Sequence, residues 1–421
     1  MAGILNDLQY RDLIYQASNL KGLGKRLKKG KTVIYCGFDA TAESLQAGNL
    51  VPMLVLKRFQ LAGHQPIILV GGGTSLIGDP GGKKQERPLQ QKEKVKKQAE
   101  KIKKQCERFL DFKAKNNPAL ILNNYDWLAK ERMIDFLREI GKNFTISSML
   151  AKETIKNRLE SGISFTEFSY MLLQAYDFFH LKQKYACDLQ IGGSDQWGNI
   201  TAGIDLIRKK LETEVFGFTV PLVVTADGTK FGKTEKGTIW LDSRLTSPYK
   251  FYQFWLNTDD RDIVKFLKYF TFLNKDKIND LAKNLEKEPE KRKAQKALAG
   301  EITELIHGKE ALASAEKISQ ALFYGNLSDL TLKELEMAFD DVPSFSIKGL
   351  KKIFLVDFLV SSGICSSKRQ AREDINNGII FINAKKYQDL DREISLADCL
   401  FEKYLIIKKG KKNYFLVRWF Q

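Results

Sequence analysis

The sequence predicts an α/β protein, a parallel sheet covered by helices on both faces, followed by an all-helical stretch and a small α+β unit. Two observations carry this reading. The first half alternates short apolar runs ending in glycine with stretches at helical spacing. Strand-like runs then vanish between about Pro248 and Tyr324 and return beyond Gly349.

In order along the chain, Thr32-Val33-Ile34-Tyr35-Cys36 is an apolar run closed by Gly37, and a helical pattern follows from Leu45 to Leu61. Pro66-Ile67-Ile68-Leu69-Val70, closed by Gly71-Gly72-Gly73, reads as a second buried strand. Cys187-Asp188-Leu189-Gln190-Ile191 and Val220-Pro221-Leu222-Val223-Val224 read as two more. In such sheets ligands bind beyond the carboxyl ends of the strands, where the glycine turns lie. Past the helical stretch, Ile353 to Ser361 is an amphipathic helix, and Ser366 or Ser367 caps a helix over Lys368 to Asn376. Asn377-Gly378 turns into the strand Ile379 to Asn383. Leu405-Ile406-Ile407 and Tyr414 to Val417 form a hairpin around the basic turn Lys408 to Lys412. The expected domains are therefore 1–225 around the sheet, 226–247 as a loop and linker, 248–325 helical, 326–350 a linker, and 351–413 the small unit, with a tail to 421.

Composition narrows the function. The chain has 421 residues and a formal net charge of +17, which favours a polyanionic partner such as nucleic acid, against the plainer reading of solvated basic helix faces. Five scattered cysteines without a CxxC pair argue against a disulfide framework or a thiolate metal site. The three histidines form no ligand pair, and no tightly bound metal is expected. The N-terminal MAGILNDLQYRDL carries no secretory signal pattern, and no apolar stretch approaches the roughly 18 residues of a membrane span. A cytoplasmic location without membrane contact is the expectation.

Two glycine-rich turns invite a phosphate-loop reading and fail it. In Gly71 to Lys84, Ile77 stands where a Walker A motif needs glycine, and Lys84 where it needs serine or threonine. Leu76 replaces the third glycine of a dinucleotide fingerprint. Asp79 beside the basic run Lys83 to Arg87 nonetheless supplies an acid for an amine and cations for phosphates. On a helix, Tyr170, Gln174 and Asp177 are four and three residues apart and share one face. Burying such groups unpaired costs about 1–3 kcal/mol each, so they bind one another or a ligand.

Four motifs, in order, resemble those of the bacterial tyrosyl-tRNA synthetases. Tyr35-Cys36-Gly37-Phe38-Asp39-Ala40-Thr41 through Gln46-Ala47-Gly48-Asn49 is similar to the family's first signature, and Lys230-Phe231-Gly232-Lys233-Thr234 to its lysine-bearing second. Ser169 to Phe178 and Gln190 to Asn199 resemble its substrate-binding segments, and the C-terminal unit resembles an S4 RNA-binding domain. The resemblance implies a Rossmann-like catalytic domain, a helical anticodon-binding domain over 248–325 and an S4-like domain over 351–413. It implies activation of L-tyrosine by ATP with Mg2+, transfer to tRNA(Tyr), and a homodimer.

The resemblance also implies roles for individual residues. Tyr35 and Asp177 would contact the phenolic hydroxyl, and Tyr170, Gln174 and Asp79 the ammonium group. Gln196 would lie near the carboxyl group. Cys36, Gly37, Asp39, Gly48, Gly193 and Asp195 would line the nucleotide site, with Lys233. Thr41, Gln46, Asn49, Lys83, Arg87, Lys230, Lys233 and Thr234 would surround the reacting phosphates. A site built to hydrogen-bond a hydroxyl rejects the analogue that lacks it, the property for which this synthetase class is itself the standard illustration. One departure stands out: the family's His-x-Gly-His reads Gln46-Ala47-Gly48-Asn49, and Ala40 replaces its usual proline. Both replacements of histidine keep a donor, so a working enzyme with a slower activation step is expected. A catalytically silent tRNA-binding paralogue and a tryptophanyl-tRNA synthetase are the rival readings. The intact lysines oppose the first, and Tyr35 with Asp177 opposes the second.

Overall fold

A computed structural model of the chain describes residues 3–81, 88–159, 162–229, 231–234, 237–410 and 413–420. Two compact units result, Met1–Thr246 with Phe254–Ile306, and Ser247–Gln253 with His307–Gln421.

The first unit is built on a six-stranded sheet: β1 (Gln16–Ala17), β2 (Val33–Asp39), β3 (Gln65–Gly71), β4 (Leu120–Asn123), β5 (Cys187–Gly193) and β6 (Phe216–Val220). Their order is β1-β6-β5-β2-β3-β4, parallel throughout except for the antiparallel edge strand β1. The parallel α/β expectation holds. From β2 the chain builds outward through β3 to β4, and from β5 it builds the other way to β6. The crevice beyond the carboxyl ends of β2 and β5 is thus a topological switch point.

One expected strand moves. Val220 to Val224 is not a strand; β6 ends at Val220. Pro221 has no N–H for the ladder, and Leu222 and Val224 are exposed, whereas Phe216 to Val220 are all buried. The helix expected over Leu45 to Leu61 begins as a 3-10 turn, Ala47–Asn49, and becomes α-helical only at Leu50–Leu61. That helix is apolar on nearly every side and mostly buried, with Leu61 exposed at its end.

The helix Phe165–Tyr185 starts at Ser164, whose hydroxyl accepts from the Glu167 N–H at 3.1 Å. It packs on the helix Trp197–Leu211 at Gly203, where a Cβ would come within 3.1 Å of the Phe178 ring. Any larger residue there would press the Phe178 side chain aside. The helix Asp260–Phe270 is closed at its carbonyl end by two cations. Arg11 donates to the carbonyls of Lys268 (3.1 Å), Thr271 (3.2 Å) and Leu273 (2.7 Å), and Arg58 donates to that of Thr271. Asp7 binds both guanidiniums, at 2.8 and 3.3 Å. Cations suit the negative end of a helix, and this pair ties it to the helix Leu50–Leu61.

The second unit holds a five-stranded sheet in the order Lys385–Lys386, Ile380–Ile382, Tyr404–Lys409, Asn413–Phe420, Ser344–Lys348. The helix Lys368–Asn376 is capped by Ser367, one of the two serines expected. The helix expected from Ile353 is preceded by a short strand, Lys352–Phe354, and runs over Leu355–Ser361. Residues 326–350 carry the helix Leu332–Ala338 and the strand Ser344–Lys348, which pairs in parallel with Asn413–Phe420. The helix Lys309–Tyr324 belongs to this unit, where Ile318 and Ala321 pack with Tyr404, Ile406 and Leu416. No helix among the described residues is long and apolar enough to cross a membrane.

Candidate active site

The carboxyl ends of β2, β3 and β5 and the polar face of the helix Phe165–Tyr185 converge in the first unit. Tyr35 projects from β2 against Phe178, ring centroids 5.3 Å apart. Its hydroxyl is buried and has no hydrogen-bond partner. Gln190 is its register partner on β5 and projects to the same face, and its Oε1 is also buried and unpartnered. The same holds for Oε1 of Gln174. Three elements therefore present unpaired polar atoms, each costing about 1–3 kcal/mol while it stays so.

Asp177 is held rigidly. Its Oδ2 accepts from Asn124 Nδ2 at 2.9 Å and its Oδ1 from Trp127 Nε1 at 2.8 Å. Burial pushes the carboxyl up to about 7; the two donated bonds oppose this, and Asp39 adds to it. Tyr170 donates its hydroxyl to Asp39 Oδ2 at 3.1 Å, while Thr74 donates to Asp39 Oδ1 at 2.9 Å. Asn124 closes the chain, giving a second bond from Nδ2 to Thr74 Oγ1 at 3.0 Å and accepting the Gly73 N–H at 2.7 Å. A continuous network thus runs Asp177, Asn124, Thr74, Asp39, Tyr170.

Asp79 accepts from the Gly81 N–H at 2.9 Å and from Gln196 Nε2 at 2.6 Å. Burial pushes it up to about 6; those two bonds lower it, and Asp39 and Asp195 raise it. Asp39, Asp79 and Asp177 thus make one acidic cluster, a setting that favours a cation. Among the described residues no group of three or more His, Cys, Asp or Glu could hold a metal ion. An organic ammonium fits the cluster's chemistry.

The glycines beside this cluster leave little room for a side chain. A Cβ on Gly71 would fall 2.1 Å from Asp39 Oδ1, and one on Gly193 would fall 2.6 Å from Asp195 Oδ1. Gln196 receives a bond from Asn199 Nδ2 at 3.1 Å, which leaves its own amide aimed at Asp79 and Asp195. Cys36 alternates to the opposite face of β2 from Tyr35, and burial pushes its thiol up, so it stays neutral.

The two signature segments are sewn together by main chain. Ala47 N donates to Ile239 O at 3.0 Å, Leu241 N to Leu45 O at 2.9 Å and Ile239 N to Gly232 O at 2.9 Å, and Gln46 bridges Trp240. Gly232, at φ +80°, lies 3.5 Å from Ala47 by the position a Cβ would take. Beside it Phe231 is buried among Phe254, Trp255, Phe266 and Phe270, ring centroids 4.9–5.3 Å away. The Asn49 side-chain oxygen accepts the Gln46 N–H at 2.9 Å, so its amide nitrogen points away from that bond. Thr41 lies two residues beyond the end of β2. Lys233 and Thr234 form a short strand paired with Gly237–Thr238. Lys83, Arg87 and Lys230 lie outside the described residues.

Of the expected residues, Tyr35, Asp39, Asp79, Tyr170, Gln174, Asp177, Asp195 and Gln196 meet in one place; Gly48 lies against Gly232, and Gln46 and Asn49 are bonded to each other. Asp39, expected on the nucleotide side, is bonded to Tyr170. Asn124, Trp127, Thr74 and Gln190 were missed as site residues. The position of Asn124 just beyond an apolar run, with Trp127 three residues on, was the signal available for two of them.

Comparison with known proteins agrees. A family model for class I tRNA synthetases (W and Y) matches residues 27–324, and one for the SYY-like C-terminal domain of tyrosine–tRNA ligases matches 334–417. Over 421 residues, all of both chains, the sequence is 56% identical to tyrosine–tRNA ligase 1 of Bacillus subtilis. Against the tyrosine–tRNA ligase of Bacillus caldotenax it is 56% identical over 417 residues, 99% of each. The solved, C-terminally truncated mitochondrial tyrosyl-tRNA synthetase of Aspergillus nidulans superposes with a TM-score of 0.70 at 31% identity, over 77% of this chain and 95% of that one. A tryptophanyl-tRNA synthetase of Encephalitozoon cuniculi, at 12% identity and a TM-score of 0.54, covers 74% of this chain and 87% of that one and shares the fold alone. Fold and site together define a class I aminoacyl-tRNA synthetase of the tryptophan and tyrosine group. Within that group the chain belongs to the tyrosine–tRNA ligase family along its whole length.

Proposed function

We propose that the pocket between β2, β5 and the helix Phe165–Tyr185 binds L-tyrosine, and that the adjoining crevice binds ATP. A tyrosine–tRNA ligase joins tyrosine to its tRNA with ATP, in two steps through a tyrosyl adenylate. The observation that carries the assignment is the set of buried, unpartnered atoms Tyr35 OH, Gln174 Oε1 and Gln190 Oε1 beside the fixed carboxylate of Asp177. A phenol satisfies Tyr35 and Asp177, while an ammonium suits Asp79, Gln174 and Tyr170, the last oriented by Asp39. Gln196 adjoins the carboxylate that attacks the α-phosphorus. Gly193 and Asp195 suit ribose hydroxyls, with Cys36 and Gly37 beneath the nucleotide.

Pyrophosphate leaves as the new P–O bond forms, so the step asks for positioning and positive charge. Thr41, Gln46, Asn49, Lys83, Arg87, Lys230, Lys233 and Thr234 are assigned to that leaving group, and Gly48 to the nucleotide. Magnesium enters with ATP as part of that substrate. A hydroxyl of the tRNA terminal adenosine then attacks the mixed anhydride and releases AMP. Tyrosine-dependent pyrophosphate exchange tests the reading: tyrosine is expected to support it and tryptophan to give none, and Gln46→His with Asn49→His should speed it severalfold. Exchange that appears only with tryptophan, or only after both histidines are restored, overturns the assignment for the natural chain.

The boundaries 1–225, 226–247, 248–325, 326–350 and 351–413 are retained as the functional division, with tRNA contacts assigned to the third and fifth. A homodimer in the cytoplasm completes the reading. Support for the dimer is a run of exposed apolar side chains within residues 133–165, Met133, Ile134, Leu137, Ile146, Leu150, Leu159 and Phe165.

The acidic pocket gives a pH dependence. Asp79 (up to about 6) and Asp177 (up to about 7) both act as carboxylates toward tyrosine, so protons compete with substrate. KM for tyrosine is expected to fall as pH rises from about 5.5 to 7.5 and then level off; a flat profile excludes this competition. Stability runs the other way. Both folded values exceed the unfolded one of about 3.9. The folded chain therefore holds extra protons between them, and this contribution to stability is lost as pH rises through about 6 and 7.

A further inference from the structure

The helix Lys92–Cys106 packs on the first unit through Val95, Ala99, Ile102 and Cys106, which share one face at helical spacing. Gln105 flanks that buried stripe and lies sixty residues beyond Leu45 in the chain. Its side chain makes two bonds to the first signature. Oε1 accepts the Leu45 N–H at 2.9 Å, and Nε2 donates to Ser44 Oγ at 2.9 Å. One turn earlier Lys101 pairs with Glu43 at 2.8 Å, but those side chains are 39% and 62% exposed, and such a pair holds little.

Three segments join at Ser44. Its hydroxyl donates to Leu45 O at 2.8 Å and accepts from Gln105 Nε2 and from the Asp242 N–H at 3.2 Å. The one donor and both lone pairs of that hydroxyl are then in use. Leu45 O also takes the Leu241 N–H, and the Ala47 N–H goes to Ile239 O. Gln46 sits between these two anchored neighbours, held on one side by residues 239–242 and on the other by the helix through Gln105. Ser44 and Leu45 are both buried, so without Gln105 the Leu45 N–H loses its acceptor where little water reaches. A segment that shifts to find another acceptor carries Gln46 with it.

We propose that Gln105 is a positioning residue for tyrosine activation, holding Ser44 and Leu45 so that Gln46 meets the leaving pyrophosphate. The inference rests on the assignment of Gln46 to that group. Pyrophosphate exchange and amide hydrogen exchange of the full chain test it together. Gln105→Met keeps the length of the side chain and drops both polar atoms. Its kcat is expected to fall about 10- to 100-fold, the cost of moving a catalytic group by about 1 Å. KM for tyrosine should not change, because Tyr35, Gln174 and Asp177 stand on other elements. Gln105→Glu keeps the acceptor for Leu45 and should retain about a third or more of the parent kcat. In a Gln46→Ala background, Gln105→Met should cost about twofold or less, since its route to the reaction is gone. The amides of Leu45 to Asn49 should exchange with solvent about tenfold faster in Gln105→Met than in the parent. An undiminished kcat in Gln105→Met, or an equal loss in both backgrounds, overturns the positioning role. A parent chain without tyrosine-dependent pyrophosphate exchange would instead overturn the ligase reading. Amide protection of Leu45 to Asn49 then decides the role of Gln105, and protection unchanged in Gln105→Met rejects it.

Discussion

Asp177→Asn is expected to lower kcat/KM for tyrosine activation by about 10³ while changing the value for phenylalanine far less, so that discrimination between the two collapses. The carboxylate accepts from Asn124 Nδ2 and Trp127 Nε1 and still has lone pairs for a phenol. An amide in its place must turn its NH2 toward one of those two donors. The result is a donor facing a donor and one acceptor fewer for the substrate. Hydrogen bonds to charged groups are worth about 1.5–3 kcal/mol each, and two of them account for the expected factor. Trp127→Phe, which loosens the carboxylate without replacing it, should cost about tenfold. Pyrophosphate exchange with each amino acid measures both, and an Asp177→Asn protein as selective as its parent removes Asp177 from the pocket's specificity.

Arg158→Ala is expected to destabilise the fold by about 3–5 kcal/mol at neutral pH. Arg158 and Glu167 are each only 2% exposed and pair at 2.5 Å, with a second guanidinium nitrogen donating to Gly162 O. Removing one partner leaves the other charge buried and uncompensated, which is the costly case. Glu167 also lies in the first turn of the helix that carries Tyr170, Gln174 and Asp177, so the damage reaches the site through that helix end. Replacing both residues with apolar side chains of similar volume should restore most of the stability. Urea denaturation of the three proteins decides it; a loss below 1 kcal/mol for Arg158→Ala removes the pair from the fold's support.

The strands of the sheet were legible because parallel strands buried on both faces are continuous apolar runs; β3 and β5 end at glycine, while β2 runs past Gly37 to Asp39. The same rule misplaced the last strand. Val220 to Val224 is as apolar as the others, but Pro221 breaks its ladder, and Phe216 to Val220 was hidden by its glycine and threonine. Within the site, Tyr170, Gln174 and Asp177 could be read together because helical spacing puts them on one face. Asn124 and Trp127 could not, because they act on Asp177 from some fifty residues away. The repulsion among Asp39, Asp79, Asp177 and Asp195 was equally invisible, since it depends on burial and on four segments meeting. Family resemblance assigned Asp39 to the nucleotide; its bond to Tyr170 emerges only in three dimensions.

The network through Asn124 constrains how this pocket could evolve. Each polar atom of that side chain already has a partner, so no single neighbour can be exchanged without stranding another. Substitutions at Asn124, Trp127 and Asp177 should therefore be strongly epistatic, each alone producing loss of function and only certain combinations producing a new preference. A lineage adapting this scaffold to a different amino acid would have to cross that valley in several coordinated steps, or first acquire a mutation elsewhere that relaxes the loop after β3.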